Sequence, residues 1–243
     1  MILDIYKDAL EYSAKDWKTL VILGIFAFFS FLLLPIFIIT GYNYRVINTA
    51  VHGIINGRDP LPGFDDLIAM FVDGIKVVIV QIAYLIIPVI IFLIFAIIAG
   101  YLSGVSATAV MIIGSLLTFV AGIVACLMSQ MGLCHMAYNE GAFTKAFDLR
   151  EIKEVLDEIG WFNSILTYLG LIIITVVLSA VVSLLIGAVF VLFGLSGFAL
   201  GVDASGVFLV GALVNSAVAM FIVGPYLSIF NARSLGLLYT MQI

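Results

Sequence analysis

Sixty-three consecutive residues, Val77 to Asn139, contain no Asp, Glu, Lys or Arg. A water-soluble domain cannot hide so long an uncharged run, whereas about 20 apolar residues already suffice to cross a bilayer once. Two comparable runs accompany it: Thr19 to Thr40, and the stretch from Ile159 up to Arg233, broken by the single charge Asp203. The pattern is that of a multi-pass membrane protein, an all-α polytopic helical bundle.

The charged fraction of 10% is far below the soluble average of about 25%, so lipid must be the solvent for most of the surface. The ten Lys and Arg fall in three separated clusters and make no continuous basic stripe, which argues against nucleic acid as a partner. Cys126 and Cys134 have neither disulfide-framework nor CxxC spacing and read as small apolar residues. His135 adjoins Cys134 but has no third or fourth metal ligand in sequence, so no metal or other cofactor is expected.

Acidic residues precede the first apolar run, unlike the short basic start of a signal peptide. Ile2, Ile5, Ala9 and Tyr12 recur at helical spacing against Asp4, Lys7, Asp8, Glu11 and Lys15, predicting an interfacial helix near 2–16 with Trp17 at the membrane boundary. Leu20 to Thr40 is long enough for one crossing. Gly41 to Gly63 then turns polar and ends in Pro60-Leu61-Pro62-Gly63, after which Asp65 or Asp66 is placed to cap a short interfacial helix over 65–73, with Gly74 closing it. The weak point Gly100 to Ala107 divides the long run into crossings at about 76–99, with Pro88 inside, and 108–134. Asp148-Leu-Arg-Glu151 has capping-box spacing and opens a strongly amphipathic helix near 148–160, expected to lie on the bilayer or on the protein's own bundle. Two further crossings, about 163–192 and 207–230, flank the Gly- and Ser-containing stretch 194–206. The expected total is about five membrane segments in a single domain.

Three Gly-x6-Asn pairs, Gly41/Asn48, Gly132/Asn139 and Gly224/Asn231, recur 91 and 92 residues apart, each where an apolar segment ends. This suggests a diverged internal repeat in which Gly permits close packing and Asn caps an exposed helix end. With five crossings, Arg45, Arg58, Lys76, Lys145, Arg150, Lys153 and Arg233 share one face, and the positive-inside rule makes that face and the C-terminus cytoplasmic. If Leu20 to Thr40 is instead a re-entrant hairpin, the N-terminus joins them and all ten basic residues lie inside. A true crossing is favoured here, because a re-entrant turn must be buried in protein.

Gly41-Tyr42, Arg45, Leu61-Pro62-Gly63-Phe64-Asp65-Asp66-Leu67, Phe71 and Asp73-Gly74-Ile75-Lys76, with Ala146-Phe147-Asp148-Leu149-Arg150-Glu151 further on, resemble the mainly archaeal membrane proteins of domain-of-unknown-function family 4013. The resemblance implies a multi-pass protein of a prokaryotic plasma membrane, with no activity or catalytic residues to carry over.

No nucleophile and base, metal cluster or phosphate loop converges in the sequence, so an enzyme is not expected. The best charged constellation is Arg45, Arg58, Asp65, Asp66, Asp73 and Lys76, a candidate interfacial polar cluster that helix caps and surface ion pairs explain equally well. The crossings carry only uncharged polar groups such as Gln81, Ser129, Gln130 and Asn215, with small residues Gly114, Thr118 and Gly122, or Ser179, Ser183 and Gly187, at four-residue spacing. Two functions follow as expectations. One is a non-enzymatic membrane scaffold or accessory protein that meets lipid, a partner protein or a second copy of itself through amphipathic segments. The other is an uncoupled channel or transporter for a small polar solute, with Gln81 and Asn215 lining the path.

Overall fold

The computed structural model describes residues 2–199 and 205–242, and among them all regular structure is helical, without strands. The helices are α1 (Ile2–Ser13), α2 (Trp17–Phe28), α3 (Leu34–Val51), α4 (Leu67–Gly100), α5 (Gly104–Tyr138), α6 (Leu149–Ile159), α7 (Trp161–Ala199), α8 (Ser205–Val218) and α9 (Gly224–Tyr239). A π-helical turn, Ala219–Val223, joins α8 to α9 just before Pro225, whose missing N–H cannot bond to the preceding turn. Four rods are therefore long and apolar enough to span a membrane: α4, α5, α7 and α8–α9.

The single continuous helix expected for a crossing over Leu20 to Thr40 is not formed. The segment breaks into α2, a 3-10 turn Phe29–Leu32 and α3, with Leu33 in the left-handed region (φ 67°) directly ahead of Pro35. The outgoing arm then packs against the start of α4: Gly41 lies on the Met70 carbonyl, Gly74 on the Phe37 carbonyl, and Arg45 on Asp66 and Asp73. These pairings run antiparallel, so the apolar beginning of α3 stands beside residues near 74, while α4 continues about 39 Å further to Gly100 at 1.5 Å per residue.

Gly74 does not close a short helix either. Asp66 caps α4 by accepting from Ala69 N, and α4 runs unbroken through Gly74 and Pro88. Glycine is required at 74 for proximity rather than for a turn, since a Cβ there would overlap the Phe37 carbonyl. All four rods extend beyond the expected crossings, and at the polar end the added turns are covered by protein.

That covering is the core. Buried side chains come from α1, α3, the first turns of α4 and α7, the last turns of α5, α6 and α9: Ile5, Tyr42, Met70, Met131, Leu156 and Phe230, for example. The two amphipathic helices belong to it. Ile152, Val155, Leu156 and Ile159 of α6, and Ile5, Ala9 and Tyr12 of α1, face the bundle rather than the bilayer. Gly160, at φ 90°, lets the chain turn from α6 into α7.

The other half of the molecule has almost no interior. From Leu85 to Val124, and over 172–196 and 205–222, large aliphatic residues such as Ile87, Val120, Val176 and Leu213 are half or more exposed. α4 packs along α5 as one hairpin and α7 against α8 as another, but the two hairpins are joined mainly at the polar end, with α3 wedged between α4, α5 and α9.

Candidate functional site

At the base of the space between the hairpins lies a cavity of about 410 Å³ walled by five helices. α3 contributes Thr40, Asn43, Tyr44 and Ile47, α4 Val77 and Gln81, and α5 Gln130 and Leu133. α7 adds Tyr168, Leu171, Ile172, Thr175 and Val176, and α9 adds Ser228, Asn231, Ala232 and Leu235. No charged side chain lines it. Within this wall Thr175 and Asn231 satisfy each other at 3.3 Å. Asn43, on the other hand, has a buried Oδ1 with no partner, and the Gln81 and Gln130 amides find none among the described residues. In hydrocarbon an unsatisfied polar group costs several kcal/mol. That cost falls on Asn43; Gln81 and Gln130, only partly buried, add primary amides from two other helices, so the wall offers hydrogen bonds to a guest.

Gln81, expected to line a solute path, is in this wall. Asn215, its expected companion, is not. It borders a separate cavity of about 130 Å³ with Ser179, Ser183, Leu227 and the π-helical turn, further from the polar end along α7 and α9. The stripe residues divide as well: Gly114 packs on Phe95, whereas Gly122 and Gly187 face open space.

The expected charged cluster is assembled only in part. Arg45 donates to the Asp66 carbonyl at 3.0 Å and lies 3.9 Å from Asp73, which Lys76 approaches at 3.5 Å. Asp66 is occupied as the α4 cap, while Arg58 and Asp65 are exposed and make no ion pair among the described residues. The stronger network is elsewhere. Arg233 of α9, fully buried, donates from Nε to Asp8 of α1 and from Nη2 to Asp59, both at 2.9 Å, and lies over the Tyr12 ring. Asp8 also accepts from the backbone N–H of Asn56 at 2.6 Å.

A second network closes α6 onto the bundle. The His135 ring stands between the Tyr239 hydroxyl at 2.6 Å and Glu151 Oε2 at 2.7 Å, and Lys145 donates to both Glu151 oxygens. The Lys145 ammonium, with His135 second, holds the Glu151 carboxyl below the usual range, and Glu151 in turn raises Lys145. Asp148 caps α6 by accepting from Glu151 N. The expected reciprocal half of the capping box is absent, because the Glu151 side chain is committed to Lys145 and His135.

The repeat-marking residues lie on three helices that pack together, in the middle of α3, near the end of α5 and at the start and middle of α9. Gly41 and Gly132 each meet a carbonyl, that of Met70 and of Ala146 respectively, while Gly224 starts α9 against its own π-helical turn. Asn139 Nδ2 caps by donating to the His135 carbonyl, and Asn48 lends its carbonyl to His52. Asn231 does neither; its amide faces Thr175 in the cavity.

Asp8, Asp59, Arg233 and Asn43 were not singled out by sequence. The first three are separated by up to 225 positions, and nothing local distinguishes them from other charges beside an apolar segment. Asn43 had a usable signal: it lies with Thr40 and Ile47 on one face of a helix, the i, i+3, i+7 pattern.

A family model described as "Protein of unknown function (DUF4013)" matches residues 24–191, a span that includes Asn43, Gln81, Gln130 and Thr175. No curated protein and no solved structure matches the chain.

Proposed function

We propose, for a chain that belongs to the family of unknown function DUF4013 and is built as a multi-pass membrane protein, that it serves as a non-enzymatic scaffold or accessory protein of the plasma membrane. The observation that carries this reading is the use made of the amphipathic helices. Their apolar faces are spent on the protein's own core, so their exposed charged faces are left for a partner protein. On α6 that face presents Arg150, Lys153, Glu154, Asp157 and Glu158. By the positive-inside rule it is cytoplasmic, together with the C-terminus.

Charge reversal at Arg150, Glu154 and Glu158 tests it, since these side chains point away from the core and the variants keep the fold. Proteins co-purifying with the tagged full chain from its native membrane are compared. A discrete set lost on charge reversal supports the reading, and identical sets from both forms remove it.

The amide-lined cavity favours a second reading, an uncoupled path for a small polar solute that includes Gln81. Flux in proteoliposomes above that of empty liposomes, and sensitive to Gln81→Leu, distinguishes it from the scaffold.

A further inference from the structure

We infer that the cavity between the two hairpins is a binding site for an uncharged, hydroxyl-bearing head group, of the glycerol or glycosyl class, carried by a neutral lipid. Its volume of about 410 Å³ lies in the usual range for small-molecule sites, roughly 300–1,000 Å³. Asn43, with its buried Oδ1, and the partly buried Gln81 and Gln130 each offer an amide without a partner among the described residues, together able to donate and accept, which is what a polyol presents in return.

The absence of charge from the wall sets the class. A phosphate or ammonium head group would lose its hydration there without meeting an opposite charge, a cost of several kcal/mol. Neutral hydroxyls meet no such cost.

Placement sets the source. Gln81 follows Lys76 by five residues on α4, about 8 Å along the helix, just below the level at which a lysine reaches the interface. Ile172 and Val176 line the cavity and are at the same time 46% and 60% exposed on the apolar outside of α7. The cavity wall thus continues into the lipid-facing surface, and beyond it the hairpins leave exposed aliphatic surface for chains to lie against. A lipid can place its head among the amides with its chains in the cleft; a free solute would use the amides alone.

The test is ligand binding by the full chain in nanodiscs, independent of any partner protein. The probes are dioctanoylglycerol, its monoglucosyl derivative, dioctanoyl phosphatidylglycerol and free glycerol, with saturable binding read by native mass spectrometry. The expected result is saturable binding of at least one of the two neutral lipids. Losing two amides in Gln81→Leu/Gln130→Leu should weaken it at least tenfold, about 1.4 kcal/mol. Val176→Phe, at an exposed position that folding does not depend on, should weaken it comparably by filling the mouth. Glycerol competing as effectively as the lipids would assign the same site to a free polyol. Equal binding of phosphatidylglycerol, no saturable binding of any probe, or affinity indifferent to both variants would overturn the inference.

Discussion

Arg233 on the last helix and Asp8 on the first meet at 2.9 Å with side chains 0% and 4% exposed, which fastens the two ends of the chain together inside the protein. A buried guanidinium left without its carboxylate is strongly penalised, by about 3–5 kcal/mol, because the remaining charge cannot recover its hydration. Arg233→Ala and Asp8→Ala should each destabilise the purified protein on that scale, read as a lowered thermal midpoint. Asp59→Ala, which removes a partner whose side chain is 30% exposed, should cost less, about 1–2 kcal/mol. Equal loss from all three would mean that burial does not rank these bonds.

The same bond bears on topology. α1 and α9 lie at one end of the bundle, an arrangement that favours the re-entrant alternative for residues 20–40 over a fifth crossing. All ten Lys and Arg then share the polar end, with Lys15 reaching the Asp59 carbonyl and Arg45 the Asp66 carbonyl. Cysteines placed singly at positions 7, 58, 145 and 240, with Cys126 and Cys134 replaced, should be protected from an impermeant thiol reagent in intact cells, while one at 106 should label. The sequence-based topology puts positions 104 and 203 on the outer side, of which 203 lies outside the described residues. External labelling at 7 alone would restore a true first crossing.

Gly41 and Gly74 let α3 and α4 approach until backbone meets backbone, and a Cβ on either would overlap a partner carbonyl. Overpacking of a fitted interface costs about 1–3 kcal/mol, and backbone atoms yield less readily than side chains. Gly41→Ala and Gly74→Ala should destabilise by at least that much. Gly122→Ala and Gly187→Ala, in open space within helices, should be neutral or stabilising by about 0.5–1 kcal/mol. Thermal unfolding of the four variants checks the contrast.

What the sequence makes legible follows from the range of the physics involved. An uncharged run of apolar residues declares its solvent locally, so the membrane class, the four long helices and the caps at Asp66 and Asp148 are readable. The fate of Leu20 to Thr40 is not, because apolar content alone does not tell a span from a hairpin; the decision lies in Gly41 and Gly74 fitting α3 against α4. For the candidate site, Gln81 and Gln130 stand out as amides in apolar helices. Their convergence with Asn43 depends on α3 being wedged between the hairpins, a tertiary arrangement that no spacing encodes.

The His135–Glu151–Lys145 network predicts a pH response. Glu151, held below the usual carboxylate range chiefly by the Lys145 ammonium, binds its proton less readily folded than unfolded. Its contribution is therefore fully present above the unfolded value, about 4.3, and is lost as pH falls through the lower, folded one. Lys145, raised by the same pair, contributes fully below its unfolded value of about 10.4, and that gain is lost as pH rises through the folded one. The docking of α6 should hence be firm across neutral pH and loosen in strong acid. Hydrogen exchange at Leu156 and Ile159, taken relative to the intrinsic rate at each pH, should speed up below about pH 4 in the native protein. In Glu151→Gln it should already be faster at pH 7, with little further change on acidification. Identical pH profiles for the two would show that the pair does not hold α6 in place.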